Sequence, residues 1–419
     1  MNQVMNSPQL RFSEYQGKWE SRKLEKYILE HKGGAPLKPS DFVRFSKCEV
    51  IPKKAITGGG KLLLDLEKAT YCSEEFFKNY KNSIVDNSFL ITTLRDLVPS
   101  GPNIGFIVKN ESKSKYMLAQ GVYGLKINTK ELIEDFLIQL SNTSKYRKVM
   151  QTLKVGSTQV HIRNSIFFGI DVVSPSLPEQ QKIADFFSAV DEKLQALKKK
   201  KELLEQYKKG LMEKIFSREI RFKDENGNNF PDWEEKKLGE ISEKVMYGIN
   251  AAAKSFDGKN KYLRITDIDE NTRKFVPNPL SSPNGKLFDK FKLRERDLIF
   301  TRTGASVGKS YLYNIDDGDL YFAGFLIKFS IINSNPYFIY IQTLSEKYDK
   351  WVKIMSMRSG QPGINAEEYK TFPVYSPSIS EQNCIAKFIS TINDKECFIE
   401  TQIYQTEQWK KGLLQKMFV

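Results

Sequence analysis

Histidine is scarce in this chain of 419 residues, with only His31 and His161 present. Its four cysteines, Cys48, Cys72, Cys384 and Cys397, include no Cys-x-x-Cys spacing. A structural zinc site draws about four nitrogen or sulfur ligands from tight local spacing, so no metal site is expected. Thiols in a reducing compartment fit these cysteines better than a disulfide framework does. Long uncharged apolar runs are absent and the mean hydropathy is −0.47, which argues against a spanning helix. Residues 1–12 lack the basic start and apolar stretch of a secretory signal, leaving the cytoplasm as the expected compartment.

Catalytic signatures are missing as well. The sequence has no Asn-Pro-Pro-aromatic loop, no glycine-rich cofactor motif for methyl transfer, no HExxH and no nucleophile elbow. One segment, Thr301 to Ser310, imitates a phosphate-binding P-loop. That motif requires four residues between its glycines, and only Ala305, Ser306 and Val307 separate Gly304 from Gly308. Lys309-Ser310 is also followed by a strand pattern, not a helix. Binding is therefore the expected role, and no catalytic residue is assigned.

What the chain does have is positive charge. Its formal net charge of +14 is spread over 65 lysines and arginines, which points to a polyanionic partner. An anionic membrane surface is the weaker alternative, because no amphipathic anchor is apparent.

The chain also repeats itself. Gly124–Phe216 can be laid on Leu326–Phe418 at a constant shift of 202 residues. The heptapeptide from Ser174 to Gln180 (SPSLPEQ) recurs from Ser376 to Gln382 (SPSISEQ), and Lys208-Lys209-Gly210-Leu211 recurs as Lys410-Lys411-Gly412-Leu413. Upstream the copies diverge but keep anchors, including Phe136, Tyr146 and Ile162 against Phe338, Tyr348 and Ile364. A period near 200 residues is too long for a solenoid and fits two whole domains, each with a helical appendage. The expected boundaries are 1–173, 174–217, 218–375 and 376–419.

The repeated segments read as long helices. Ile183, Val190, Leu194, Leu197, Leu204 and Leu211 form one apolar seam, and Ile385, Ile392, Ile399, Ile403 and Leu413 form a second. Each opens on a capping-box pattern, Ser176 with Glu179 and Ser378 with Glu381. A helix of about 38 residues is about 57 Å long, comparable to about 17 base pairs. Two matched seams in one chain can pair antiparallel within it, relating the domains by a pseudo-two-fold axis. Homodimerisation through the seams is the alternative. The lysine run Lys198–Lys201 reads equally as a solvated face or a phosphate contact.

The divergent segments read as α+β. The first suggests strands at Lys61–Leu66, Phe89–Thr93, Ile104–Val108 and Met117–Ile127, then a helix at Lys130–Leu153. The second suggests strands at Lys261–Ile268, Asp297–Arg302, Ser310–Tyr313 and Tyr321–Ile332, then a helix at Tyr337–Met355. After each helix comes a polar segment, with Ser157, Gln159, His161 and Arg163 in the first half and Arg358, Ser359, Gln361 and Asn365 in the second. Arg, Gln and Asn suit base edges, and Lys or Ser suit phosphates, which makes these segments candidate DNA contacts. Arg302, Thr303 and Lys309 join them, on a loop whose glycines permit close approach to nucleic acid. An ordinary polar connection is the competing reading.

Taken together, the paired heptapeptides, the repeated Lys-Lys-Gly-Leu segments and the strand and loop from Asp297 to Gly304 resemble the DNA-specificity subunits of type I restriction-modification enzymes. The resemblance spans nearly the whole chain. It implies two target-recognition domains separated by paired helices, and a bipartite asymmetric DNA target read by one domain per half. It also implies two methylation subunits and restriction subunits as partners, with S-adenosylmethionine, ATP and Mg on those partners and none on this chain. The first half lacks the Thr-Arg-Thr-Gly loop, so its base readers are expected elsewhere. A self-contained DNA-processing enzyme and a non-catalytic coiled-coil scaffold are the alternatives.

Overall fold

The computed structural model describes residues 7–65 and 67–419. They form two compact units, one containing residues up to 200 together with 399–419, the other residues 201–398. The expected boundaries fall near the ends of two long helices, Leu177–Phe216 and Ile379–Met417, whereas the compact units divide each helix between them.

Both units are built on the same plan. In the first, a four-stranded antiparallel sheet runs in the order Ile28–Gly33, Val122–Ile127, Leu90–Thr93, Ile107–Lys109. In the second the order is Ser242–Tyr247, Leu326–Ile331, Asp297–Thr301, Ser310–Leu312. A short parallel pair accompanies each sheet, Val50–Ile51 with Met117–Leu118 and Lys261–Leu263 with Leu320–Phe322. A second antiparallel pair precedes each long helix, Glu20–Lys23 with Asp171–Ser174 and Glu234–Lys237 with Pro373–Ser376. Mixed helix and strand content, duplicated, is the α+β architecture expected from the sequence.

Several expected elements are broken in two. The helix anticipated at Lys130–Leu153 is Glu134–Ser141 followed by Ser144–Leu153, and that at Tyr337–Met355 is Pro336–Gln342 followed by Glu346–Met355. Hydroxyl residues make each break: Thr143 accepts from the Tyr146 amide at 3.2 Å, and Ser345 from the Tyr348 amide at 3.3 Å. Such side chains favour caps over helix interiors. The strands anticipated at Met117–Ile127 and Tyr321–Ile332 likewise divide, at turns through Gly121 and Gly324, so that one chain segment serves both the parallel pair and the sheet. Lys61 makes only an isolated bridge, to Lys109, residues 62–65 form no strand, and Leu66 lies outside the described residues. The strand expected at Ile104–Val108 starts at Ile107, and the one at Lys261–Ile268 stops at Leu263, before a 3-10 turn.

Each sheet packs beneath its helix pair. Leu90, Leu125, Phe136, Leu137, Tyr146 and Met150 share one core, and Leu298, Phe300, Phe329, Phe338 and Tyr348 share the other. In the first unit the two long helices run antiparallel: Lys410 bonds Asp191 at 2.5 Å and Lys198 bonds Glu407 at 2.7 Å, so rising numbers on one helix meet falling numbers on the other. In the second unit Lys208 reaches Asn393 at 3.1 Å and Glu396 at 2.5 Å. Of the expected seam residues, Ile183, Val190, Leu194, Ile385, Ile392 and Ile399 are buried. Leu197, Leu204, Leu211, Ile403 and Leu413 are half-buried. Towards the helix ends Ile215 and Met417, which continue the two seams, are buried, and Met212 and Leu414 join them in place of Leu211 and Leu413, because a strict seven-residue repeat drifts around a 3.6-residue helix.

Candidate nucleic-acid interface

The repeated heptapeptide carries the fold, not the ligand. Glu179 and Glu381 are fully buried, and each grips an arginine through two bonds. These are Arg11 to Glu179, both at 2.7 Å, and Arg221 to Glu381, both at 2.9 Å. The expected capping box is therefore not closed by the glutamates, whose charged oxygens find the stronger bidentate partner. The next residue, Gln180 or Gln382, donates to a proline carbonyl at 2.9 Å and accepts a backbone amide at 2.9 Å from Ile133 or Asn335. These glutamines fix the entrance of the shorter helices.

The strand from Asp297 to Thr301 then delivers a loop at its end. Gly304 and Gly308 adopt φ +78° and +88°, conformations suited to glycine. A side chain at Gly308 would meet Val352 at 2.5 Å. The buried hydroxyl of Tyr348 donates to the Gly308 carbonyl at 2.7 Å, and that of Tyr369 donates to the Thr301 carbonyl at 2.8 Å. Burial raises both tyrosine pKa values, so these hydroxyls stay protonated donors.

The loop is joined to the second candidate segment. The Ile364 amide donates to the Arg302 carbonyl at 2.9 Å, the Gly304 amide donates to the Pro362 carbonyl at 3.0 Å, and Thr303 bridges Gly363. Arg302, Thr303 and Gln361 thus share one surface. The guanidinium of Arg302 lies over the rings of Tyr247, at 5.0 Å, and Phe325, at 5.8 Å. Phe325 is 57% exposed, and the Arg302 Nε is buried with no hydrogen-bond partner among the described residues. Stacking of this kind holds a guanidinium flat and leaves its outer edge for a planar acceptor.

Three expected contact residues are otherwise engaged. Lys309 is only 5% exposed, and its Nζ bonds Glu270 at 2.5 Å and the Ile268 carbonyl at 3.0 Å. Sequence reading missed this because the strand after Gly308 turns its first lysine inward. Asn365 caps the helix Ala366–Lys370, accepting from the Glu368 amide at 2.9 Å. Arg358 pairs with Glu368 and donates to the Met355 carbonyl at 3.1 Å.

In the first unit, the backbone pattern identifies a counterpart loop that the sequence concealed. The Leu94 amide donates to the Gly121 carbonyl and the Ile162 amide to the Leu94 carbonyl, both at 2.9 Å; Arg302, Phe325 and Ile364 repeat this in the second unit. Tyr146 donates to the Gly105 carbonyl at 2.9 Å, as Tyr348 does to Gly308. Residues 94–105 thus correspond to 302–308, with buried Leu94 in the place of Arg302. Arg147, whose pKa burial lowers, fastens this loop through the carbonyls of Ile104 at 2.7 Å and Pro102 at 2.8 Å.

Beside it, Ser157 and Gln159 occupy the exposed tip of a turn closed by paired bonds of 2.9 Å between Val155 and His161. His161 is half-buried opposite Arg95, and Arg163 is exposed at the start of the helix Asn164–Phe168. The lysine run is exposed at Lys198–Lys200, and Lys198 is taken up by Glu407. Among the described residues no group of His, Cys, Asp and Glu could hold a metal ion, and no helix is long and apolar enough to cross a membrane.

Comparison with known proteins places this architecture. The family model of the type I restriction modification DNA specificity domain matches twice, at residues 35–206 and 231–406, and the chain belongs to that family. Among its relatives is the MjaVIII specificity subunit of Methanocaldococcus jannaschii, 25% identical over 360 residues, covering 81% of this chain and 80% of that protein. The EcoKI specificity subunit of Escherichia coli is 22% identical, covering 78% and 76%. The S subunit from M. genitalium shares the fold at a TM-score of 0.57 and 18% identity, covering 99% of both chains. A chain from a structure described as underlying complex assembly and conformational transition of the type I R-M system gives 0.56 at 14% identity, covering 96% and 97%. The protein is a specificity subunit of a type I restriction-modification system with two repeated recognition domains.

Proposed function

We propose that this chain reads a bipartite, asymmetric DNA target, with one half-site per recognition domain, and performs no chemistry itself. The observation that carries this reading is the paired reader loop. One backbone framework, built twice, presents Arg302 over two aromatic rings in one unit and buries Leu94 at the same position in the other. Equal frameworks with unequal side chains suit two different half-sites. Arg302 and Gln361 contact base edges in the second half-site, and Ser157, Gln159 and Arg163 contact the first.

The long helices set the spacing between half-sites. The chain recruits two methylation subunits and restriction subunits in the cytoplasm, and those partners hold S-adenosylmethionine, ATP and Mg. The positive charge supports DNA as the ligand over a bare scaffold role. The test is the methylation map of DNA from cells that express this chain with its methylation subunit, compared with the methylation subunit alone. A new two-part, asymmetric adenine-methylated motif is expected. No new motif from a stable complex would return the scaffold reading.

A further inference from the structure

The turn that carries Phe325 in the second unit carries Gly121 in the first. Gly121 has φ +87°, and a Cβ there would meet the Arg95 Cβ at 2.8 Å, the Lys53 Cε at 3.2 Å and the Arg95 Cδ at 3.5 Å. Two cationic side chains therefore cross one glycine side by side. Both are half-buried, and among the described residues neither has an ion pair. The neighbouring carboxylate of Asp96 accepts the backbone amides of Val98 and Asn103, each at 3.3 Å. Burial first, and the nearby Arg95 charge second, lower the pKa of Lys53, while Asp96 acts the other way. In the second unit the parallel strand pair places Ile265 where Lys53 stands, so this cation pair belongs to the first unit alone.

We propose that Lys53 and Arg95 together hold one backbone phosphate of the DNA bound by the first recognition domain. This rests on the reading of the chain as a DNA-specificity subunit. Two like charges side by side call for a partner with full negative charge, which a phosphate supplies and a base edge does not. Arg302 differs: it is a single guanidinium lying over two aromatic rings, an arrangement suited to a base edge. The first domain thus anchors through charge at the position where the second reads sequence.

The test uses the full chain assembled with its methylation subunits. Affinity is measured over a salt series for two duplexes of equal length, one carrying the methylated motif and one scrambled. Lys53→Gln and Arg95→Gln should each weaken binding to both duplexes by a similar factor, about tenfold. Each should make the slope of log affinity against log salt shallower by about 0.9, with the methylated motif unchanged. Lys53→Arg and Arg95→Lys, which keep the charge, should stay near the parent, and thermal unfolding confirms that each variant is folded.

A loss confined to the motif duplex, or an altered first half-motif, would overturn the phosphate assignment. Unchanged affinity and slope in folded variants would overturn the contact altogether. A parent complex that binds both duplexes equally and methylates no motif would instead count against the specificity reading itself.

Discussion

Arg11 and Glu179 lie 168 residues apart and meet through two hydrogen bonds of 2.7 Å, with the carboxylate almost completely buried. Arg221 and Glu381 repeat the arrangement at 2.9 Å, and there the Trp233 indole adds a third bond at 3.0 Å. In the first unit the matching Trp19 Nε1 is buried without a partner among the described residues. Removing an arginine from such a pair strands a buried charge. Arg221→Leu should therefore destabilise the second unit by about 3–5 kcal/mol, while Arg221→Leu with Glu381→Leu should cost less than the sum of the two changes. Denaturant unfolding of the four chains checks this. Additive costs would show that the two residues do not act as a pair.

Lys309 stands beside Gly308 in a segment that imitates a P-loop, and the fold turns it inward. Lys309→Met should lower stability, since Nζ satisfies the Ile268 carbonyl and pairs with Glu270. It should leave the salt dependence of DNA binding as it was. A shallower salt slope in a folded Lys309→Met protein would restore the lysine to the interface.

Much of this was legible in advance. The repeat needed only identical residues at a fixed shift, and the long helices needed only periodicity, because both signals are local. Glu179 and Glu381 looked like capping-box residues for the same reason: the sequence shows the neighbour at three residues and hides the arginine at 168 or 160. The first-unit reader loop was concealed because its eleven-residue spacing from Leu94 to Gly105 replaces the six residues from Arg302 to Gly308, and only the hydrogen-bond register equates them. Lys53 and Arg95 were overlooked because a parallel strand pairing brings them together, and nothing in a linear pattern announces it.

Arg302→Ala should change the base preference of one half of the methylated motif and leave the other intact, since its loop belongs to one unit. A single good base contact is worth about 1–3 kcal/mol of discrimination, enough to relax one position from a unique base to several. Sequencing of methylated DNA reads this directly. Changes in both halves, or in neither, would detach Arg302 from base reading.

Tyr369→Phe tests whether the loop must be held still to read. The hydroxyl donates to the Thr301 carbonyl at 2.8 Å and accepts the Gly308 amide at 3.1 Å, and those two groups also bond each other at 3.1 Å, so its removal takes one bond from each and leaves neither without a partner. The expected cost is about 0.5–1.5 kcal/mol of stability, with relaxed discrimination in the same half-motif as Arg302→Ala. Stability lost with discrimination retained would mean that Gly304 and the segment from Gln361 to Ile364 position Arg302 without the tyrosine.

The helix pairing gives the last test. Leu197, half-buried, is a weaker probe of the seam than Leu194, which is 7% exposed in the core of the first unit's helix pair, near the bond between Asp191 and Lys410. Leu194→Lys would bury a charge whose nearest carboxylate, Asp191, is already taken by Lys410 and Gln139, and should cost about 3 kcal/mol, on the order of other unpaired buried charges. If the helices act as the ruler, the surviving complex should also lose its fixed spacer between half-motifs. Analytical ultracentrifugation with the methylation subunits, read beside the methylation map, separates the two effects. A destabilised chain that still yields the original spacer would mean that the spacing is set by the DNA or the partner subunits, since the helix pair would then have been loosened without consequence for the target.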